Sequence, residues 1–184
     1  MQTTRFFRSG LGLSVALALV SGASADDFSV SESRMSYRAS HFLKTTEGVS
    51  REAKGKVACA KGVQNCDFLV AVPVRSFDSG NSNRDSHMLE TTRGAANPLV
   101  EARGKIAALK VGKSAADVDV TFGGKTHRYP AVPLQVETAG TGYKVHAVVP
   151  VKLSAHEITP PSLLNAAIKD DVPVTIDLTL VRAP

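Results

Sequence analysis

From residue 35 to the end, apolar and polar side chains mostly alternate with period two, the spacing that sends successive side chains to opposite faces of a sheet. Met35, Tyr37 and Ala39 share one parity, with Ser36 and Arg38 between them, and Val57 and Cys59 follow with Lys56 and Ala58. Phe68, Val70, Val72 and Val74 lie in a nearly continuous apolar run. Val100, Ala102, Ile106 and Ala108 alternate with Glu101, Arg103, Lys105 and Ala107, which gives a strand with one dry face and one wet face. The same holds for Val118, Val120 and Phe122, and for Val132, Leu134 and Val136. Tyr143 to Leu153 makes a long strand, and Val172 to Leu180 closes the chain, so eight strands are expected.

Turn signals fall between these segments at Gly80-Asn81, Gly112-Lys113, Gly123-Gly124 and Gly140-Thr141-Gly142. Two stretches break the period. Asn83 to Gly94 reads as a short helix or ordered loop, and Pro161 to Asp170 as a second helix with Pro161 suited to its first turn. The pattern predicts one all-β domain with one or two short helices, with no internal repeat or linker. Periodicity alone leaves a two-sheet sandwich and a closed barrel equally open. The inward set is mostly Val, Ala, Ile and Leu, with no Trp and only ten aromatics in 184 residues. Eight strands enclose a space that is either filled by side chains or just wide enough for one slender ligand, and small walls favour the ligand.

The amino terminus departs from this pattern. Met1 to Arg8 carries Arg5 and Arg8 and no acid, Leu11 to Val20 is a small-apolar run, and Ala23-Ser24-Ala25 precedes Asp26-Asp27. This is the layout of a secretory leader cleaved after Ala25, which predicts residues 1–25 as a leader, 26–184 as the mature domain, and a periplasmic or secreted location. Ten apolar residues are too few for a membrane span, which needs roughly 20, and no cysteine near the cut suggests a lipoprotein. Loss of the leader takes the formal charge from +5 to +3 over 159 residues. The remaining basic residues are interspersed with acids, so neither a nucleic-acid partner nor a polybasic membrane site is expected, and no second apolar run approaches membrane length.

Cys59 and Cys66 flank a plausible turn, Ala60 to Asn65. In an oxidising compartment they are expected to form a disulfide across a hairpin. A metal site would lack its third and fourth ligands, and a redox pair usually has two residues between its thiols.

Several motifs together resemble the YceI family of bacterial lipid-binding, lipocalin-like barrels over Phe28 to Val181. Met35 to Phe42, followed by Glu47-Gly48 and Lys54-Gly55-Lys56-Val57, is similar to the family's first two strands. Phe77 to Leu89, with Arg84-Asp85-Ser86-His87-Met88, resembles its strand end and helix start. His156 to Leu164, then Asp171-Val172-Pro173-Val174, resembles its final helix and strand. The sequence departs from the family at Asn97-Pro98-Leu99 and Thr121 to Thr126, and in its cysteine pair.

The resemblance implies a single eight-stranded antiparallel lipocalin-like barrel that binds a polyisoprenoid or other long-chain amphiphile, with the head group near the mouth. It needs no cofactor beyond that lipid and carries out no catalysis. The lining is expected among Tyr37, Phe42, Val57, Phe68, Val70, Val72, Met88, Leu89, Ile106, Val120, Phe122, Val149 and Leu164. Arg84 and His87 offer head-group contacts. The structural alternative, favoured for this cluster, has Asp85 capping the helix and Arg84 pairing with it. The other histidines are scattered and are expected at surface or strand-end positions. No Gly-x-Ser-x-Gly elbow, phosphate-binding glycine loop or His-Glu-x-x-His motif points to an enzyme. The competing reading is an exported barrel with a filled core that acts through a protein partner in envelope stress or redox function. A homodimer is in keeping with the resemblance, though no residue argues for it.

Overall fold

The computed structural model describes residues 26–163 and 166–183, the side chains of Leu163 and Ala166 excepted. The expected leader and Leu164 lie outside the described residues. The chain forms β1 (Asp26–Ser40), β2 (Thr45–Ser50), β3 (Lys54–Ala60), β4 (Gln64–Pro73), α1 (Ser82–Thr91), β5 (Leu99–Ala108), β6 (Gly112–Phe122), β7 (Lys125–Ala139), β8 (Gly142–Lys152), β9 (Ser162–Leu163), β10 (Ala166–Ala167) and β11 (Asp171–Arg182). Short 3-10 turns follow β4 and β8 at Val74–Ser76 and Ser154–His156.

The sheet is antiparallel and closes on itself. Its order runs β11-β8-β7-β6-β5-β4-β3-β1-β2, and β1 also pairs with β11, from Phe28↔Arg182 to Tyr37↔Val174. That pairing decides for a barrel over a sandwich, and closure covers the strand edges except on β2, whose far side is joined, among the described residues, only by the Val49↔Asp78 bridge. β2 and β3 share one of the eight places in the ring. The first half of β1 pairs with β3 through Asp26↔Cys59 to Ser29↔Lys56, and its second half with β2 through Met35↔Ser50 to Ser40↔Thr45. Thr45–Ser50 lacked apolar alternation, which is why no strand was expected there.

Three register shifts bend the wall, as bulges do. One lies between Val30 and Glu32 in β1, one between Ala58 and Ala60 in β3, and one between Ala116 and Val118 in β6. Opposite the third, Ala131 takes a left-handed φ of 50° and its N–H donates to Asp117 Oδ1 at 3.0 Å. The extra residue reverses the parity of β7, so Tyr129 and Val132, three apart, both face inward and are buried.

The described residues of Pro161 to Asp170 are not helical. Ser162–Leu163 and Ala166–Ala167 pair as a small antiparallel hairpin, with Ile168 N bonded to Pro161 O and Lys169 N to Ser40 O. A ten-residue helix is marginal by itself because nucleation is costly. Here the segment is anchored instead by those bonds and by Ile168 packing on the Leu153, Ile158 and Val172 cluster. The stretch from Asn83 to Gly94 does hold a helix, α1, which ends at Thr91 and is capped by Asn81, whose side chain accepts from Arg84 N.

The Cys59–Cys66 disulfide joins β3 to β4, its Cα atoms 4.0 Å apart and both residues buried. It lies at the barrel end away from α1. There the Asp26 carboxylate accepts from Gly62 N at 2.8 Å and Val63 N at 3.1 Å and pairs with Arg182. The Arg182 contact, then those two N–H donors, hold Asp26 below the usual carboxylate range.

Candidate functional site

Strand alternation carries two apolar chambers inside the barrel. Along β4, Val72 lines the upper chamber and Val70 and Phe68 the lower; along β8 the order is Val151, then Val149 and Ala147. On β11, Val172 and Val174 give way to Ile176, Leu178 and Leu180. A strand advances about 6.6 Å for every two residues, so the chambers are stacked along the barrel axis. The upper one holds about 230 Å³ and the lower about 80 Å³.

Of the residues expected to line a lipid site, Tyr37, Val72, Met88 and Phe122 surround the upper chamber, together with Arg84 and His87. Val57, Phe68, Val70, Ile106 and Val149 surround the lower. Val120 is buried between them on β6, where Phe122 belongs to the upper chamber and Val118 to the lower. Two expected residues lie elsewhere. Phe42 sits 69% exposed in the β1–β2 turn, because β1 ends at Ser40 and its alternation stops there. Leu89 packs along its own helix toward Gly94, whose added Cβ would come within 2.8 Å of Leu89 Cδ2.

The upper chamber also uses Met35, one inward step from Tyr37 on β1, and Val100 and Val174, which share the apolar parity of β5 and β11, so parity was a sufficient signal for them. Val74 continues the spacing of Phe68, Val70 and Val72 just past β4, whereas Phe77, Ile158, Pro161 and Ile168 come from irregular segments at the mouth, where no period marks a face.

The polar part of the lining is concentrated on α1. Arg84 is tethered by Ser79: its Nε donates to Ser79 Oγ at 2.8 Å and its Nη2 to Ser79 O at 2.6 Å. Asp85 accepts the Ser79 hydroxyl and the Ser79 N–H. The structure therefore corrects the expected arrangement: Asn81 caps the helix, and Ser79 stands between Arg84 and Asp85 as the partner of both. His87 stands on the rim beside Glu90, 3.5 Å away. Tyr37 lies across its registered partner Gly48, where an added Cβ would come within 2.3 Å of the ring. Burial, then the charge of Asp85, pushes the Tyr37 phenol above its usual value.

Behind Phe122 lies a buried polar chain. His156 is inaccessible, contrary to the expected surface position, because the turn after β8 folds it against the wall. Its Nδ1 lies 2.9 Å from Lys125 O, an acceptor only, so Nδ1 carries the proton. Nε2 then accepts from the Tyr129 hydroxyl at 3.0 Å, whose oxygen accepts from Lys152 N at 3.1 Å. Burial is the main cause holding the His156 imidazole below its usual pKa. Every buried side-chain polar atom among the described residues has a partner.

The YceI-like domain family matches residues 27–180. The chain belongs to the YceI family. Several solved structures share its fold at low identity. Burkholderia cenocepacia BcnA is 20% identical with a TM-score of 0.68, covering 80% of this chain and 95% of its own. A polyisoprenoid-binding domain from Saccharophagus degradans, described as implicated in plant cell wall breakdown, is 14% identical with a TM-score of 0.66, covering 85% and 98%. The Campylobacter jejuni YceI protein is 12% identical with a TM-score of 0.53, covering 96% and 94%. No curated protein matches the chain. Among the described residues of this YceI member, no helix is long and apolar enough to cross a membrane, and no three His, Cys, Asp or Glu side chains are grouped to hold a metal.

Proposed function

We propose that this protein is an exported, periplasmic, non-catalytic carrier. It holds a polyisoprenoid or other long-chain amphiphile in its barrel for transport, storage or sequestration. The observation that carries the reading is the upper chamber of about 230 Å³ with an almost wholly apolar wall and its polar groups gathered at one rim. Such a wall rewards a hydrocarbon by about 0.8 kcal/mol for each methylene removed from water. Arg84 and His87 at the rim suit the head group of an amphiphile, since they leave the polar end at the mouth.

A long chain asks for more than the upper chamber, which is smaller than the roughly 300 Å³ at which pockets for drug-sized ligands begin. Joining the two chambers requires displacement at the level of Val120, with Phe122 above and Val118 below, so loading is expected to repack that layer of β6. Residues 1–25 support the periplasmic location as a secretory leader.

Native mass spectrometry of protein purified from the periplasm without detergent, followed by extraction of what is released, tests the reading. A stoichiometric long-chain adduct is expected. A protein that is empty on purification and takes up no polyisoprenoid or fatty acid from dispersion refutes it.

A further inference from the structure

The β1–β2 connection is a tight turn that holds two apolar side chains in water. His41 N donates to Lys44 O at 2.8 Å and Lys44 N to His41 O at 3.3 Å, which leaves Phe42 and Leu43 at the tip. They are 69% and 65% exposed, the two most exposed large apolar side chains among the described residues. The Phe42 ring leans on the His41 ring, with centroids 4.4 Å apart, so the turn is ordered by contacts within itself.

The position and surroundings of this tip are specific. Ala39 and Thr46, on the strands either side of it, line the upper chamber, so the tip stands on the rim of its mouth. Lys44 is exposed within the turn, and Lys169, also exposed, is brought beside it by the bond from its N–H to Ser40 O. The nearby acids are engaged: Glu47 pairs with Arg34 at 3.3 Å, and Asp170 accepts from the Ser154 N–H and hydroxyl. The tip is thus apolar at its point and cationic at its flanks.

Two side chains are far too small a patch for a stable protein partner, which needs about 800 Å² on each side. An apolar wedge with flanking lysines is what the surface of an anionic bilayer accommodates. We infer that Phe42 and Leu43 enter the surface of an anionic phospholipid membrane and hold the chamber mouth against it, so that lipid passes between bilayer and barrel without crossing water. The purpose of this contact rests on the lipid-carrier reading; its geometry does not.

The chain has no Trp, so Phe42→Trp supplies a single reporter at an exposed position and keeps an aromatic ring beside His41. The exported protein is mixed with vesicles of phosphatidylglycerol and phosphatidylethanolamine. Its emission is expected to shift to the blue, to be quenched by brominated phospholipid, and to respond less at high salt or on pure phosphatidylcholine. Val111→Trp, 59% exposed in the β5–β6 turn at the opposite barrel end, is expected to stay unchanged. The double variant Phe42→Ser/Leu43→Ser is expected to partition at least roughly tenfold more weakly, from the apolar burial it forfeits. No shift at Phe42→Trp, an equal shift at Val111→Trp, or undiminished partition of the double variant overturns the inference. A shift that follows protein concentration instead of lipid also overturns it, in favour of a second copy. Native mass spectrometry separates the two claims: lipid inside a protein that ignores vesicles sinks docking alone, whereas membrane insertion of the tip by an empty barrel supports docking and counts against the carrier reading.

Discussion

Val174→Phe probes the upper chamber most directly. Val174 is half-buried on β11 and faces the chamber, so the larger side chain enters existing space. A charged residue at Val149, 3% exposed in a packed wall, would threaten the fold before it tested the ligand. Phe carries four more side-chain carbons than Val. If these displace about four carbons of a bound chain, at about 0.8 kcal/mol each, binding weakens by about 3 kcal/mol, or roughly two orders of magnitude. Occupancy is measured by native mass spectrometry after loading at a fixed concentration of a polyisoprenoid, with Val181→Phe, on the outside of the same strand, as the matched control. Thermal unfolding checks both folds, since overpacking a core costs about 1–3 kcal/mol. Equal affinity of the two variants, within about twofold, refutes the idea that the chain lies in the upper chamber.

Three further outcomes follow from the polar chain and the disulfide. Tyr129→Phe strands both His156 Nε2 and Lys152 N, and at about 1–3 kcal/mol for each unsatisfied group it is expected to lower the melting temperature by about 5–20 °C; a loss under about 0.5 kcal/mol would count against the chain. Because burial lowers the His156 pKa below its ordinary 6.5, the unfolded chain binds the proton first. Stability is then full above about pH 6.5 and falls as pH drops through it, a slope that His156→Gln should abolish in denaturant titrations. The depressed carboxyls of Asp26, Asp119, Glu157 and Asp170 act in a lower window, near pH 4 and below, so the two losses are separable. Reduction of Cys59–Cys66 is expected to cost about 2.5 kcal/mol in chain entropy for so short a loop; an unchanged denaturation midpoint after confirmed alkylation of both thiols would refute this.

How much of this protein was legible in its sequence follows from which interactions are local. Alternation is a property of neighbouring residues, so Val100 to Ala108, Tyr143 to Leu153 and Val172 to Leu180 announced strands and their inward faces. The Cys59–Cys66 hairpin was readable for the same reason, both partners lying within one turn of chain. Phe42 was misplaced because alternation does not show where a strand stops, and Pro161 to Asp170 because a short apolar pattern is settled by whatever it packs against.

Barrel closure depends on β1 meeting β11, residues about 150 apart, and no pattern along either strand distinguishes that pairing from a sandwich edge. The buried chain from Lys152 through Tyr129 and His156 to Lys125 draws on three separate elements, and only packing aligned its donors with its acceptors. The sequence by itself therefore determined most of the ring's strands, their faces and the disulfide, because those follow from period and proximity. The tertiary structure decided the closed ring, the stacked chambers and the polar rim, because each is made by groups far apart in the chain whose meeting only the completed fold specifies.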